Sequence, residues 1–353
     1  MYPELASPEL KALRHRVQLN CHISDAQFAG NYTLCIYLLK MREFCRWETQ
    51  QAFTASLNRD EVGNWLKQRE ALWSECEGQA FQPLDIAGHR LDPFESDDIN
   101  WQLQGHNLVY SGGFGRSAQP HFFLAEQLRK MEHGDYTVLI SGHEYARDLA
   151  APPAMSQGRT IYIRRESLRR MLWEKIEEWR WNRPHNAMQR TLAEYDFSDA
   201  NTEQALEQLT DAELQSALDH EMGEIMVQDQ LGEAWEILLA HLPHSKAEIM
   251  LRAVRDHLAD ALSTLPALLQ RQETASIHFY FANLSSMRKY LYPALMTAYN
   301  AWCEGEAFAQ LRKQMLDGKA HWLALCEEVL SLTEKAGASL AESIEQRIEN
   351  SRL

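Results

Sequence analysis

The chain has 353 residues, of which 45% are hydrophobic and 24% charged, so it can bury a sizeable core in the manner of an ordinary globular protein. Its formal net charge of −15 argues against general affinity for DNA, RNA or anionic membranes, because those surfaces are themselves negative. We therefore expect neither a nucleic-acid partner nor a membrane partner.

The cysteines and the N-terminal segment indicate a compartment. The six cysteines include no Cys-x-x-Cys pair, which is typical of free thiols in a reducing environment. The segment MYPELASPELKALRHR has no apolar stretch after a basic start and predicts no secretory signal. The most apolar run, YTLCIYLL, is too short to span a bilayer. We expect a cytoplasmic protein.

Helical patterns dominate residues 1–105. Ser7 followed by Pro8 is a typical helix start, and it predicts a short basic helix through Val17. Asp25 is expected to cap a longer second helix that ends near residue 52. This region therefore predicts a helical N-terminal part of the molecule.

A third helix and a long connection complete this region. The third helix is expected to run from Asn58 to about Glu77. Residues 79–98 contain two prolines and many acids, and we interpret them as a connection on the surface. A connection of that length is longer than most loops, which suggests that it covers something.

The pattern changes between residues 106 and 165, where strands alternate with a short helix. HNLVY, YTVLIS (ending at Gly142) and TIYIRR are typical of strands, and PHFFLAEQLRKM predicts a helix with Pro120 at its first position. Such alternation indicates a small α/β or α+β unit within a helical protein.

The glycine-rich stretch from Gly112 to Arg116 supports two interpretations. If it leads into a helix, its backbone N–H groups suit an anion. It matches neither the phosphate-binding loop pattern nor the dinucleotide fingerprint, and a hairpin turn with positive φ is the favoured explanation of the glycines.

Charged residues follow the second predicted strand of this unit. Five polar or charged residues follow one another where a strand is expected to end, and such positions often contribute to sites. They are His143, Glu144, Tyr145, Arg147 and Asp148. Glu144 and Asp148 share a face if the segment is helical, so a solvated helix start with an internal ion pair is the alternative.

Two other charged groups are interpreted as solvated surface. Glu43 stands among basic residues of the second helix, and surface ion pairing explains it, although helical bundles also recruit such glutamates as ligands. A set of arginines near the end of the inserted unit can hold phosphates, but neighbouring glutamates dilute it. This set comprises Arg159, Arg164, Arg165, Arg169 and Arg170.

The strongest candidates for a functional site lie on one predicted long helix, residues 211–242. His220 and Glu224 align there with the apolar stripe that continues through Leu231 and Trp235. A carboxylate on such a stripe must be paired, protonated or bound to a metal. Glu221 points into the same sector, where it suits a general base or a further ligand.

A metal ion accounts for this spacing. His-x-x-x-Glu places two ligands one helical turn apart and resembles the HExxH helix of zinc proteases, with Glu224 in place of the second histidine. Glutamates and a histidine on a helix also suit a di-iron site, although the usual Glu-x-x-His order is absent. An ordinary ion pair between His220 and Glu224 is the alternative.

The expected ligand shell extends beyond this helix. His143 and Glu144 from the inserted unit are candidate ligands, and so is His257 on the next predicted helix. Antiparallel pairing of the two helices places position 257 about 8–13 Å along the axis from the others, so a buried, hydrogen-bonded histidine is the alternative there. Further on, SIHFYF is expected to begin as a strand and then turn helical.

Four stretches together resemble an uncharacterised bacterial protein family: NYTLCIYLLKMREF, FGRSAQPHFFLAE, HEYARDLAAPPAM and HEMGE. The resemblance covers most of the chain. Because the family has no assigned activity, the resemblance assigns no catalytic residue and implies only a cytoplasmic bacterial protein.

We therefore predict a mainly α, bundle-like protein with a small inserted α/β (mixed-sheet) unit. The expected regions are 1–105, 106–165 and 166–353, either separate or within one compact domain. The leading hypothesis is a non-haem metal-dependent enzyme of unknown substrate that uses a divalent ion, zinc, iron or manganese. The alternatives are a helical scaffold or adaptor that binds another protein, and a phosphate- or nucleotide-binding protein. The oligomeric state stays open.

Overall fold

The computed structural model describes residues 7–115, 119–243, 245–333 and 340–353. It is mainly helical with an inserted sheet, 64% helix and 14% strand, as expected from the sequence. The chain divides into two compact units, the first formed by 1–177 with 197–210 and the second by 178–196 with 211–353. The three-part division expected from the sequence stays a prediction. No helix in the described part of the chain has the length and apolar character that crossing a membrane requires.

The first unit begins with three helices whose starts are capped largely as the sequence predicts. The Ser7 side chain accepts a hydrogen bond from the Leu10 N–H, and Asn58 caps the third helix in the same way. The expected helix break between Val17 and Asp25 is wrong, because both residues lie buried in one continuous helix. The predicted cap at Asp25 is wrong for the same reason, and the second helix begins at Leu34. These helices are α1 (Pro8–Phe28), α2 (Leu34–Glu48) and α3 (Arg59–Cys76).

The connection after α3 is more ordered than predicted. It contains a small antiparallel hairpin whose turn passes through Gly88 at φ +82°, a conformation that glycine adopts without strain. The elements are β1 (Leu84–Ile86), β2 (His89–Leu91) and α4 (Ser96–Gln102).

A five-stranded mixed sheet follows. Its strand order is β3-β4-β5-β7-β6, with β5 and β7 parallel and all other neighbours antiparallel. β6 and β7 form a hairpin that returns the chain beside β5, so the sheet combines both strand directions as predicted. The strands are β3 (Leu108–Phe114), β4 (Pro120–His133), β5 (Tyr136–Arg147), β6 (Ala154–Gln157) and β7 (Thr160–Arg164).

The predicted helix at Pro120 is wrong, because this segment forms β4. Its first six residues, 120–125, are all buried, so the strand lacks the alternation that distinguishes a half-buried strand from a helix. With a strand there, no helix N-terminus follows Gly112, and the predicted anion site at the glycines loses its basis. Arg116 lies outside the described residues.

The glycines at this position belong to a hairpin, but positive φ is not their reason. Gly112 lies within β3, opposite Phe122. A Cβ atom there would come 2.0 Å from the Pro93 carbonyl oxygen, and Ser96 bonds both backbone groups of Gly112. Close approach of another segment therefore requires a glycine at this position.

Strand β5 continues past Gly142, where the sequence predicted its end. A Cβ atom at Gly142 would lie 2.8 Å from a carboxylate oxygen of Glu126, and the pairing of β4 with β5 shifts register in the same region. A glycine inside a strand is typical of such a bulge. Consequently His143 and Glu144 lie on a strand and not at the start of a helix.

Helix α1 packs on the sheet and positions the end of β5. Leu13 and Val17 contribute to a core that includes Leu124 and Ala146. The Asp25 carboxylate accepts hydrogen bonds from the Leu149 N–H at 2.9 and 3.1 Å, which fixes the chain directly after β5. The charged residues of β5 are thereby held at the buried end of the sheet.

Four helices follow the sheet along the chain. The predicted single helix over 211–242 is wrong: it starts earlier and breaks at Gly232, whose φ of +63° is outside the helical range. The apolar stripe continues across this break, and Trp235 and Leu238 are buried. The elements are α5 (Arg165–Asn182), α6 (Ala187–Ala193), α7 (Thr202–Leu231) and α8 (Glu233–Ala240).

The second unit is otherwise helical. Between α9 and α10, residues Asp260–Thr264 form a π-helical turn in which the Leu265 N–H bonds the carbonyl oxygen five residues back. The predicted strand start at SIHFYF is wrong, because the whole segment is a buried helix. The elements are α9 (Lys246–Ala259), α10 (Leu265–Arg271), α11 (Thr274–Asn283), α12 (Ser286–Leu291), α13 (Pro293–Cys303), α14 (Phe308–Thr333) and α15 (Leu340–Glu349).

Candidate functional site

The predicted site residues fall into both units. His143 and Glu144 lie on β5 in the first unit. The second unit contains the helix-borne ligands His220 and Glu224, the proposed base Glu221, and His257.

In the second unit, His220 lies between two carboxylates. Its Nδ1 is 3.1 Å from Asp260 Oδ1, and its Nε2 is 3.6 Å from Glu224 Oε1. The side chain is 36% exposed, whereas that of Asp260 is buried. Burial alone would lower the pKa of His220, but the hydrogen bond and charge of Asp260, with the nearby glutamates, raise it to about 9. The imidazole is therefore a cation at neutral pH.

Asp260 links this histidine to the rest of the second unit. It lies on the π-helical turn, a distortion that often occurs at functional sites. Its carboxylate accepts hydrogen bonds from Arg288 and from the Thr264 hydroxyl. Burial opposes its charge, but Arg288 and His220 outweigh burial and hold the pKa of Asp260 far below its ordinary value. The arrangement is a buried anion between two cations.

The two glutamates of the predicted site have separate environments. Glu224 Oε1 accepts a hydrogen bond from Arg255 Nη2 at 3.0 Å, in addition to facing His220. Glu221 is buried, with 7% of its surface exposed, and it adds to the negative field that raises the pKa of His220 and of Arg255. These residues form a charge network along α7 and α9.

The contacts of His257 are with Arg288 and Trp322. Its Nε2 lies 3.0 Å from the Arg288 carbonyl oxygen, and its ring stacks on Trp322 at 4.7 Å between centroids. Burial and the Arg288 charge lower the pKa of His257 to about 3, so it is neutral. The alternative interpretation, a buried hydrogen-bonded histidine, describes what the structure has here.

The fit of these groups to a metal ion is poor. Both ring nitrogens of His220 face carboxylates, and a metal ligand must first lose the proton that the raised pKa retains. Among the described residues, no group of three His, Cys, Asp or Glu side chains is placed to hold a metal ion. The zinc, iron or manganese site stays a prediction, which metal analysis of untagged protein and of the His220→Ala variant can test.

The charge network predicts the pH at which His220 titrates in solution. The His220 ring should titrate near pH 9 by NMR, and at a lower pH in Asp260→Asn, because the largest contribution that raises its pKa is then removed. Glu224→Gln should lower the titration point less, since Glu224 lies farther from the ring than Asp260. A wild-type titration near pH 6.5 would contradict the proposed geometry, whether or not the Asp260 variant folds.

In the first unit, His143 and Glu144 both contact α5 residues. His143 Nδ1 is 3.2 Å from Glu166 Oε2, and the same oxygen accepts a hydrogen bond from the Glu144 N–H. The Glu144 side chain is fully buried, and its Oε1 accepts from Arg164 Nε at 2.8 Å and from the Ser167 hydroxyl at 2.7 Å. Glu144 is thus the anion of a buried ion pair.

Buried guanidinium groups surround this carboxylate. Burial raises the pKa of Glu144, but Arg164 and Arg147 outweigh burial and hold it below its ordinary value. Arg164 lies over the Phe123 ring at 4.3 Å and has no hydrogen-bond acceptor for Nη1 or Nη2 in the described part of the chain. Burial and the Arg170 charge lower the pKa of Arg147 to about 10. Two guanidinium groups therefore act on one carboxylate here.

A cavity of about 230 Å³ opens beside these groups in the first unit. Its wall combines arginines and glutamates with two aromatic rings, and we refer to it as the arginine pocket. The lining contains four arginines and three glutamates, and Arg170 also pairs with Glu174, which does not line the cavity. The lining residues are Glu43, Arg46, Trp47, Gln50, Gln51, Ala52, Phe53, Arg147, Glu166, Arg169, Arg170 and Glu203.

Two lining arginines are buried with an N–H group unused. Arg147 is 2% exposed and Arg170 is 4% exposed. Arg147 lies over the Trp47 ring at 4.8 Å. Arg170 donates to Glu174 Oε1 at 2.7 Å and to the carbonyl oxygens of Ala150 and Ala151. Among the described residues, neither Nε has an acceptor. An unsatisfied buried donor is costly, which favours an acceptor from outside the chain.

The other two lining arginines are held by glutamates. Arg46 Nε donates to Glu43 Oε2 at 2.9 Å, and Glu43 is 1% exposed. Arg169 donates to Glu203 at 2.7 Å and lies over the Phe53 ring at 5.3 Å. These contacts fix the direction of both guanidinium groups before any ligand arrives.

Two family models match this chain. The C-terminal domain model of a family of unknown function (DUF6866) matches residues 169–351, and the N-terminal domain model of the same family matches residues 12–164. The chain belongs to this family. The resemblance to an uncharacterised family that the sequence predicts is thereby confirmed, while a bacterial source stays a prediction. No curated protein and no solved structure matches the chain.

In this DUF6866 protein, the arginine pocket uses residues from both family models, such as Arg147 from the first and Arg169 from the second. Sequence reasoning interpreted Glu43 and the arginine set as solvated, but Glu43, Arg164 and Arg170 are buried. One available signal was the position of Arg164 at the end of a β-branched strand, where a buried arginine requires a buried acid as partner.

Proposed function

We propose that this protein binds a small anionic ligand, a carboxylate or a phosphate, in the arginine pocket. The observation that carries the proposal is the pair of buried guanidinium groups, Arg147 and Arg170, each with an unused N–H donor beside a cavity. Arginine is well suited to this task because its planar set of donors matches the oxygens of carboxylate and phosphate.

The environment of the pocket supports an anion over a neutral ligand. The arginines are held by existing glutamate and carbonyl contacts, so little side-chain entropy is lost when a ligand binds. Each charge-assisted hydrogen bond to a ligand contributes about 1.5–3 kcal/mol. A cavity of about 230 Å³ suits a ligand of a few heavy atoms.

The overall negative charge of the chain also favours this proposal. A formal net charge of −15 repels anions from most of the surface, so the lining arginines must attract an anion at short range. We therefore expect selective binding of compact anions that enter the pocket, and no general affinity for polyanions such as nucleic acid.

Calorimetric titration with inorganic phosphate and with oxalate tests the proposal. The Arg169→Gln variant should bind at least about tenfold more weakly, because it loses one charge-assisted contact. Arg165→Gln is the matched control: Arg165 lies on the same helix and also pairs with Glu207, but it does not line the pocket. The control should bind within about twofold of the wild type.

Several outcomes would overturn this function. Wild-type protein that takes up neither anion at millimolar concentration has no such site. An equal loss in both variants would indicate a general electrostatic effect. Unfolding is a lesser concern for Arg169→Gln, because the Arg169 side chain is 22% exposed and its ion pairs are partly solvated.

A further inference from the structure

Two of the three carboxylates that line the arginine pocket are paired with arginines. Glu43 accepts hydrogen bonds from Arg42 Nε at 2.8 Å and from Arg46 Nε at 2.9 Å, one on each oxygen. Glu203 accepts a hydrogen bond from Arg169 Nη2 at 2.7 Å. Both carboxylates therefore have cationic partners before any ligand binds.

Glu166 is the third lining carboxylate, and its contacts are different. It lies in the first turn of α5, and its side chain is 20% exposed. In the described part of the chain, Glu166 forms no ion pair with an arginine or a lysine. Its Oε2 accepts a hydrogen bond from the Glu144 N–H and lies 3.2 Å from His143 Nδ1. These contacts fix the carboxylate against β5 and leave Oε1 for a ligand in the cavity.

Trp47 and Glu144 connect this carboxylate to the guanidinium group of Arg147. The Trp47 indole N–H donates to the Glu144 carbonyl oxygen at 3.2 Å, and the N–H of the same Glu144 donates to Glu166. Arg147 lies over the Trp47 ring at 4.8 Å. Glu166 and Arg147 are thus neighbours of the same two residues, and both line one cavity, so a small ligand there can contact both.

The charges around the cavity suit a ligand that is both negative and positive. Glu174, which pairs with Arg170, brings the glutamates to the same number as the four lining arginines. A ligand with negative charge alone would meet the Glu166 carboxylate as well as the arginines, and like charges in such a site repel each other. A cationic group on the ligand would convert this repulsion into an ion pair.

We propose that the arginine pocket binds an amino acid as a zwitterion, with its carboxylate on Arg147 and Arg170 and its ammonium group on Glu166. This inference rests on the anion-binding function proposed above, because the arginines hold the carboxylate of the same ligand. Glu166 is then the residue that selects an amino acid over a simple carboxylic acid.

Calorimetric titration of the wild-type protein at pH 7 with L-alanine, β-alanine and propionate tests the inference. All three ligands have three carbon atoms and a carboxylate, and the first two also have an ammonium group. The tighter-binding amino acid should have at least about tenfold higher affinity than propionate, because one charge-assisted contact is added. This comparison requires no variant, so it does not depend on the folding of one.

The Glu166→Gln variant tests the partner of the ammonium group. It should bind that amino acid and propionate within about twofold of each other, whereas phosphate should bind at least as tightly as to the wild type. Glu132→Gln is the control, since it removes the same charge from the first unit, but its side chain is 65% exposed and does not line the pocket. The control should retain the preference for the amino acid.

The outcomes separate this inference from the proposed function. If neither amino acid binds more tightly than propionate although phosphate or oxalate binds, the zwitterionic ligand is wrong and the anion site remains. A preference for the amino acid that persists in Glu166→Gln would overturn the role of Glu166. If phosphate, oxalate and propionate all fail to bind the wild type, the proposed function itself is wrong.

Discussion

Replacement of Glu144 by glutamine is expected to lower the free energy of unfolding by about 3–5 kcal/mol, the range for breaking a buried ion pair from one side. The substitution keeps the size of the side chain and removes its charge. Arg164 is then a fully buried cation without its anion, and Arg147 loses its nearest carboxylate. Neither guanidinium can give up its proton near neutral pH, so the unpaired charges stay in the interior.

Urea denaturation of Glu144→Gln and of Glu207→Gln compares a buried pair with an exposed one. Glu207 also pairs with two arginines, Arg165 and Arg169, but its side chain is 44% exposed. Its substitution should cost less than about 1 kcal/mol. Equal effects of the two substitutions would mean that the Glu144 cluster is hydrated, and the case for an arginine pocket poor in acceptors would weaken.

The second large effect concerns pH. Glu213 lies on α7 in the second unit and is 2% exposed. Burial raises the pKa of Glu213 from 4.5 to about 7, against smaller opposing effects of the Ser276 and Ser216 hydroxyls and the Arg271 charge. The folded protein therefore retains a proton that the unfolded chain releases between about pH 4.5 and 7.

The sign of the pH effect follows from this proton. The stability that Glu213 contributes is fully present below pH 4.5 and is lost as pH rises to about 7, because ionisation in the folded state is disfavoured. Glu213→Gln cannot ionise. The difference in unfolding free energy, variant minus wild type, should thus rise by about 3 kcal/mol between pH 4.5 and pH 8.

Chemical denaturation at a series of pH values measures this difference. Other titrating groups affect both proteins alike and cancel in the comparison. A flat difference for Glu213→Gln would show that its carboxyl ionises normally in the folded protein.

The fold class could be predicted because it depends on local patterns. Ser7 and Asn58 cap helices where predicted, and the predicted strands HNLVY, YTVLIS and TIYIRR all lie in the sheet. The predictions of secondary structure were wrong where contacts with distant segments determine the structure. The apolar start of β4 is buried on both faces and has no strand periodicity, and Gly142 belongs to a bulge whose partner strand the sequence does not reveal.

The candidate site could be predicted only in part. The pairing of His220 with Glu224 follows from helical spacing, and the structure brings the two side chains together. Asp260 and Arg288 complete that network from positions remote in sequence, so no local pattern indicates them. The arginine pocket likewise joins α2, β5, α5 and the start of α7, and only tertiary structure assembles it.

The π-helical turn at Asp260–Thr264 has a consequence for how this chain tolerates changes in length. A π-helical turn contains more residues than an ordinary α-helical turn. It therefore determines by what angle the side chains of α10 are rotated about the helix axis relative to those of α9. Deleting a single residue there would rotate one side relative to the other by about 100° and carry Asp260 out of alignment with either His220 or Arg288. Insertions and deletions should therefore be tolerated far less at this turn than in the surface loops, although no residue of the turn except Asp260 contacts the histidine through a hydrogen bond in the described part of the chain.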